Sequence, residues 1–114
     1  MDRKHRLTVS SDIQRVRSLG TSYAHPLVVL VAYPNDMPLT RFGVTAGRQL
    51  GTAVRRNRAK RRLRAALHAL HRSLAPGWDG VWIARSGMTT AAWPEVERAV
   101  ATLCRRAGLL TTSA

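Results

Sequence analysis

The sequence predicts a single small α+β domain in the order helix, strand, strand, helix, strand, helix, with the helices packed on one small mixed sheet. Three observations carry this reading. The 114 residues allow one modest core and not two of typical size. The apolar pattern switches repeatedly between strand-like runs and helical spacing. Turn-forming segments fall at the switches, namely Pro34-Asn35-Asp36-Met37-Pro38, Pro76-Gly77 and Ser86-Gly87.

In chain order, Ser10-Ser11-Asp12 offers side-chain oxygens for a helix N-cap, and Ile13, Val16 and Leu19 follow at helical spacing before Gly20 ends the segment. Residues 27–33 are apolar and β-branched without helical gaps, which predicts a buried strand closed by the proline-flanked loop. A second strand over 41–46, antiparallel to the first, has Phe42, Val44 and Ala46 on one face and Arg41, Gly43 and Thr45 on the other. From Thr52 the period becomes helical. Ala59, Leu63, Ala66, Leu67, Leu70 and Leu74 share one side until Pro76-Gly77 stops the helix. Trp78, Val81, Trp82, Ile83 and Ala84 make a third strand. Pro94 suits the first turn of a last helix, whose Val96, Val100, Leu103 and Ala107 repeat at helical intervals, with Gly108 as C-cap. The domain spans 1–114, with 1–8 and 109–114 expected as flexible tails.

Nineteen Lys and Arg against six Asp and Glu leave a formal charge of +13, a self-repulsion best compensated by a polyanion. The partner is therefore expected to be a nucleic acid. A hydrophobic content of 45% excludes the disordered class of basic tail. The longest apolar run, Leu27-Val28-Val29-Leu30-Val31-Ala32, is far short of the roughly 20 residues of a membrane span. The charged N-terminus leads into no apolar signal segment, so a cytoplasmic location is expected. Cys104 is the sole cysteine, which excludes an intrachain disulfide, a zinc ribbon and a two-cysteine redox motif.

Seven of the ten residues 55–64 are Lys or Arg. With the leucines turned to the core, Asn57, Lys60, Arg61 and Arg64 form one compact outward face, His68 extends it by a turn, and Arg58 and Arg62 flank its other side. Cations near a helix N-terminus oppose the helix dipole, so folding alone does not select this placement. No carboxylate lies between Arg41 and Ala75, which removes intrahelical ion pairs as the explanation of the run. Guanidinium forks, an amide and free N–H groups together suit the phosphates of a nucleic-acid backbone.

The stretch Phe42-Gly43-Val44-Thr45-Ala46-Gly47-Arg48-Gln49-Leu50-Gly51-Thr52-Ala53-Val54-Arg55-Arg56-Asn57-Arg58-Ala59-Lys60-Arg61-Arg62-Leu63-Arg64 resembles the signature of the bacterial ribonuclease P protein family. The family's Arg-Asn-Arg hallmark falls on Arg56-Asn57-Arg58. Asp12-Ile13-Gln14-Arg15-Val16, Gly20-Thr21-Ser22-Tyr23-Ala24, Pro76-Gly77-Trp78-Asp79, Ile83-Ala84-Arg85 and residues 103–110 extend the similarity over about residues 6 to 110. The resemblance implies the ribosomal protein S5 domain 2-like fold with a left-handed βαβ crossover, where general rules would give a right-handed one.

It also implies an auxiliary, non-catalytic subunit of an RNA endonuclease. The family's RNA subunit, with magnesium, removes the 5′ leader of precursor tRNA to make the mature tRNA 5′ end, and one protein is expected per RNA. By motif matching, Arg48, Arg56, Asn57, Arg58, Lys60, Arg61 and Arg64, together with His68 on the helix face, are the RNA-binding candidates. Ile13, Arg17 and Leu30 match a cleft for the single-stranded leader, where aromatic stacking residues are common in the family. None of the three is aromatic, and Ile13 and Leu30 equally suit a plain core. Gly47 and Gln49 also depart from the family's loop, which frequently has a hydroxyl and a second lysine there.

No catalytic residue is assigned. Asp2, Asp12, Asp36, Asp79, Glu95 and Glu97 are scattered, with Asp12 read as a helix cap and Asp79 as a turn residue, whereas phosphodiester hydrolysis by a protein needs gathered carboxylates. His68 and His71 are read as phosphate contacts or solvated side chains, and no metal ligand or bound cofactor is predicted. A ribosome-associated structural protein would share the size and charge. A DNA-binding regulator would require a helix-turn-helix, which the strands on both sides of the basic helix oppose.

Overall fold

The computed structural model describes residues 3–111, and the architecture is an α+β domain of three α-helices on one four-stranded mixed sheet. The elements are α1 (Ser10–Leu19), β1 (Thr21–His25), β2 (Val28–Pro34), β3 (Arg41–Ala46), α2 (Ala53–Leu70), β4 (Trp78–Ala84) and α3 (Trp93–Arg106). Strand order is β1-β2-β4-β3. β1 and β2 form an antiparallel hairpin, β2 pairs antiparallel with β4, and β3 pairs parallel with β4. The expected strand over 41–46 therefore does run opposite to β2, but β4 lies between them. Helix α2 is the crossover that joins the parallel neighbours β3 and β4.

The strands alternate, so the sheet has two covered faces. Val28, Leu30, Ala32, Phe42, Trp82 and Ala84 join Leu63, Leu67, Val96, Val100 and Leu103 in the main core beneath α2 and α3. On the other face Val31 and Val81 pack with Leu7 and Val16, and Ile13 and Tyr33 adjoin this smaller cluster. Phe42 meets Trp82 edge-on at 5.7 Å, and its ring lies where a side chain on Gly80 would stand.

Several local expectations are corrected. Helix α1 is capped at Val9 with no side-chain hydrogen bond, and Asp12 instead pairs with Arg15 and Arg41. Leu19 is exposed. Strand β1 is an addition: Thr21-Ser22-Tyr23-Ala24-His25 is a mostly exposed edge strand whose polar residues carry no apolar alternation. Gly20 precedes it because a Cβ there would stand 2.6 Å from the Val16 carbonyl. Helix α2 ends at Leu70, and residues 71–73 tighten into a 3-10 turn before Leu74. At the end of α3 the C-cap is Ala107, and Gly108 follows with φ of 76°. The Gly108 and Leu109 N–H groups bond the Arg105 and Cys104 carbonyls, closing a Schellman motif.

Both expected tails are anchored where they are described. His5 Nδ1 lies 3.0 Å from the Thr40 carbonyl and Leu7 N–H bonds the Phe42 carbonyl. Leu109 is fully buried and Leu110 bridges to Leu74. Asp79, expected in a turn, is fully buried in β4. Its carboxylate accepts Arg41 Nε at 2.9 Å, an Arg41 terminal nitrogen at 2.8 Å and Asn35 Nδ2 at 2.8 Å, with Arg15 at 3.7 Å. The bidentate bond to Asp79 holds the Arg41 guanidinium more firmly protonated than usual, against the opposing effect of burial.

Candidate nucleic-acid interface

Helix α2 starts cleanly because Thr52 accepts the Arg55 N–H on its hydroxyl at 3.3 Å, and because Gly51, with φ of 103°, turns the chain out of the preceding 3-10 turn. Leu50 is buried and fixes that turn, which leaves Arg48 exposed on it. Ala59, Leu63, Ala66 and Leu67 are buried, which sets the roll of the helix.

The opposite side carries the charge. Val54, Asn57, Lys60, Arg61 and Arg64 line an open groove of about 460 Å³. No salt bridge among the described residues involves any of these cations. Val54 is 75% exposed at its end, so the groove offers an apolar rim beside the guanidinium groups. His68, one turn on, stacks on His71 at 5.1 Å, and its carbonyl lies 2.8 Å from His71 Nδ1.

Other motif arginines are used internally. Arg62 donates to the Met88 carbonyl at 2.7 Å and to the Ala91 carbonyl, and Arg58 Nε donates to the Thr89 carbonyl at 3.0 Å. Both therefore clamp α2 to the 3-10 turn of residues 86–89 and the segment after it. Arg56 is half-buried on the side of Ala59 and Leu63, with its Nε buried and without a hydrogen-bond partner. The structure thus brings Asn57, Lys60, Arg61 and Arg64 together and leaves Arg56 outside their groove.

The three cleft candidates do not share one surface. Leu30 is fully buried in the main core, on the opposite side of the sheet from Ile13. Arg17 is exposed on α1. Ile13 lines a cavity of about 240 Å³ with Leu7, Phe42, Gly43, Arg6 and Arg64, so one arginine of α2 reaches both this cavity and the basic groove. Half-buried Tyr33 is the aromatic residue on the Ile13 side of the sheet. Its parity with Val29 and Val31 was the available signal, masked because β2 is apolar on both faces.

Among the described residues no three His, Cys, Asp or Glu side chains gather as a metal site would need. Asp12 and Asp79 are taken by arginines. No helix among them is long and apolar enough to cross a membrane.

The family model described as Ribonuclease P matches residues 1–108. A ribonuclease P protein component from Herpetosiphon aurantiacus is 41% identical over 109 residues, covering 96% of this chain and 89% of that protein. One from Roseiflexus castenholzii is 40% identical over 111 residues, covering 96% and 91%. Among solved structures, the RNase P protein of Staphylococcus aureus superposes with a TM-score of 0.82 at 25% identity, covering 94% of this chain and 98% of that one. That of Thermotoga maritima gives 0.80 at 26% identity, covering 89% and 96%.

Proposed function

Because the chain belongs to the bacterial ribonuclease P protein family, we propose that it docks the ribonuclease P RNA on the outer face of α2 and assists removal of the 5′ leader from precursor tRNA. The observation that carries this is the groove of Asn57, Lys60, Arg61 and Arg64, whose cations meet no carboxylate among the described residues. Guanidinium groups there donate in pairs to phosphate oxygens, and the Asn57 amide donates and accepts at the same point. Arg48, on the adjoining turn, and His68 extend the contact. Arg58 contributes mainly by holding the helix in place, and Arg56 lies outside the groove.

The leader strand passes over Ile13 and Arg17 toward Arg64. Apolar packing at the Ile13 cavity and a phosphate contact at Arg17 stand in for the aromatic stacking of the family pattern. Leu30 has no part in this track.

The protein is an auxiliary subunit and the RNA performs the hydrolysis. Among the described residues no carboxylates gather into a site for magnesium; in this reading the RNA holds the ion, and no step of the chemistry is assigned to a side chain. One protein per RNA and a cytoplasmic location complete the proposal. The test is reconstitution with ribonuclease P RNA at low magnesium, following cleavage of precursor tRNA with and without the protein. Stimulation is expected, and its absence would overturn the reading.

A further inference from the structure

Trp93 opens α3 and remains 38% exposed, although it is one of the largest apolar side chains of the protein. It stands beside the basic helix. Together with Arg58, Arg61, Arg62 and Ala65 it lines an open groove of about 350 Å³, and Arg61 belongs both to this groove and to the one along Asn57, Lys60 and Arg64. The guanidinium carbon of Arg62 lies 6.0 Å from the centre of the indole ring. Arg62 is not free to leave, because the Met88 and Ala91 carbonyls both accept from it. The indole thus has a fixed cation over its ring, and both side chains border the groove.

Folding alone gives little reason for this arrangement. Trp93 is absent from the apolar residues of both core clusters, so packing in those clusters does not account for its place. What fits the groove is a flat, polarisable group attached to an anionic chain. An indole ring flanked by arginines offers a π-face for a base and donors for the phosphates on either side of it. Glu95 and Glu97 are the acidic residues of α3, which biases the phosphate track toward α2.

We propose that Trp93 is a base-stacking platform: an unpaired nucleobase of the bound RNA lies on the indole, its neighbouring phosphates held by Arg61 and by the terminal nitrogens of Arg58. This rests on the RNA-docking reading of α2 and adds to it a contact with a base. Arg62 is a positioning residue that keeps the indole in place. The subsite recognises any unpaired base, since every base has a π-face, and it carries no sequence preference of its own.

The test compares the wild-type protein with Trp93→Phe and Trp93→Leu, both of which keep apolar bulk at the position. The probes are a short oligoadenylate and the same phosphodiester chain lacking bases. Oligoadenylate is expected to quench wild-type tryptophan emission while the abasic strand does not, because Trp82 is buried and Trp78 half-buried. Trp93→Phe should bind oligoadenylate within about twofold of wild type and Trp93→Leu about tenfold more weakly, with the salt dependence unchanged because no phosphate contact is lost. Wild-type affinity in Trp93→Leu, or equal quenching by both strands, would overturn the stacking site while leaving RNA docking intact. Failure of the wild type to bind either strand would overturn the docking reading as well.

Discussion

The arginines around Asp79 and those on the outer face of α2 are chemically identical and put to opposite use. At Asp79, Arg41 and Arg15 meet a fully buried carboxylate that also accepts from Asn35, so every charge has a partner within the protein. Along α2, Lys60, Arg61 and Arg64 line an open groove with no carboxylate beside them among the described residues. The net charge of +13 is therefore not spread evenly. It is what remains after a small structural set has been neutralised, and that remainder is concentrated where a polyanion can reach it. Arg58 and Arg62 stand between the two, committed to backbone carbonyls rather than to carboxylates.

Substitutions can break this contrast at either side, and their effects on folding should fall in a definite order. Asp79→Ala leaves Arg41 and Asn35 buried without an acceptor and should cost about 3–5 kcal/mol in urea unfolding; a loss under about 1 kcal/mol would show that water replaces the carboxylate. Arg62→Met keeps the stem but orphans the Met88 and Ala91 carbonyls, for an expected loss of about 1–3 kcal/mol with the salt slope of RNA binding unchanged. The double substitution Arg61→Ala and Arg64→Ala should alter stability by no more than about 0.5 kcal/mol. It should nevertheless lower the salt slope of RNA binding by about 1.4–1.8, two phosphate contacts' worth, and an unchanged slope would remove both residues from the interface.

Cys104 supplies the smallest effect and a useful third case, a buried ionisable group with no partner. Burial pushes its thiol up from the ordinary 9.0 to about 12. The neutral thiol is the form the fold favours. Its contribution to stability is thus fully present below pH 9 and is lost as pH rises from there toward about 12. At pH 9 the native protein should react with a thiol reagent only as fast as it unfolds, whereas urea-unfolded protein should react at once. Fast reaction of the folded protein would contradict the burial.

The sequence made α2, α3, β2 and β4 readable because each is long enough to show its period. β1 was not readable, since five largely polar residues at a sheet edge have no buried face to pattern. Asp79 misled because Asp-Gly is strong turn chemistry, and only its three-dimensional partners Arg41, Arg15 and Asn35 keep it in a strand. Leu74 prolonged the helical period past the true end of α2, but its role is the bridge to Leu110. At the site, the helical wheel correctly grouped Asn57, Lys60, Arg61 and Arg64. Leu30 suits cleft and core equally by sequence, and the structure gives the core; β2 is buried on both faces, and a continuous apolar run does not tell its faces apart. The clamps made by Arg58 and Arg62 depend on a turn 26 to 31 residues further on, which no local pattern reveals.

β4 is made after β1, β2 and β3, yet it lies in the middle of the sheet with β2 on one side and β3 on the other. During synthesis, β2 and β3 therefore emerge with the strand that must join them still missing. Until residue 84 is available, both keep an open edge, and the hairpin of β1 and β2 is the only strand pairing that can form. β4 is the strand whose arrival supplies both missing pairings, and α2 is the crossover that leads to it. Folding of this chain is accordingly a matter of order of arrival, with a window of exposed strand edges that lasts as long as the ribosome takes to make α2 and β4.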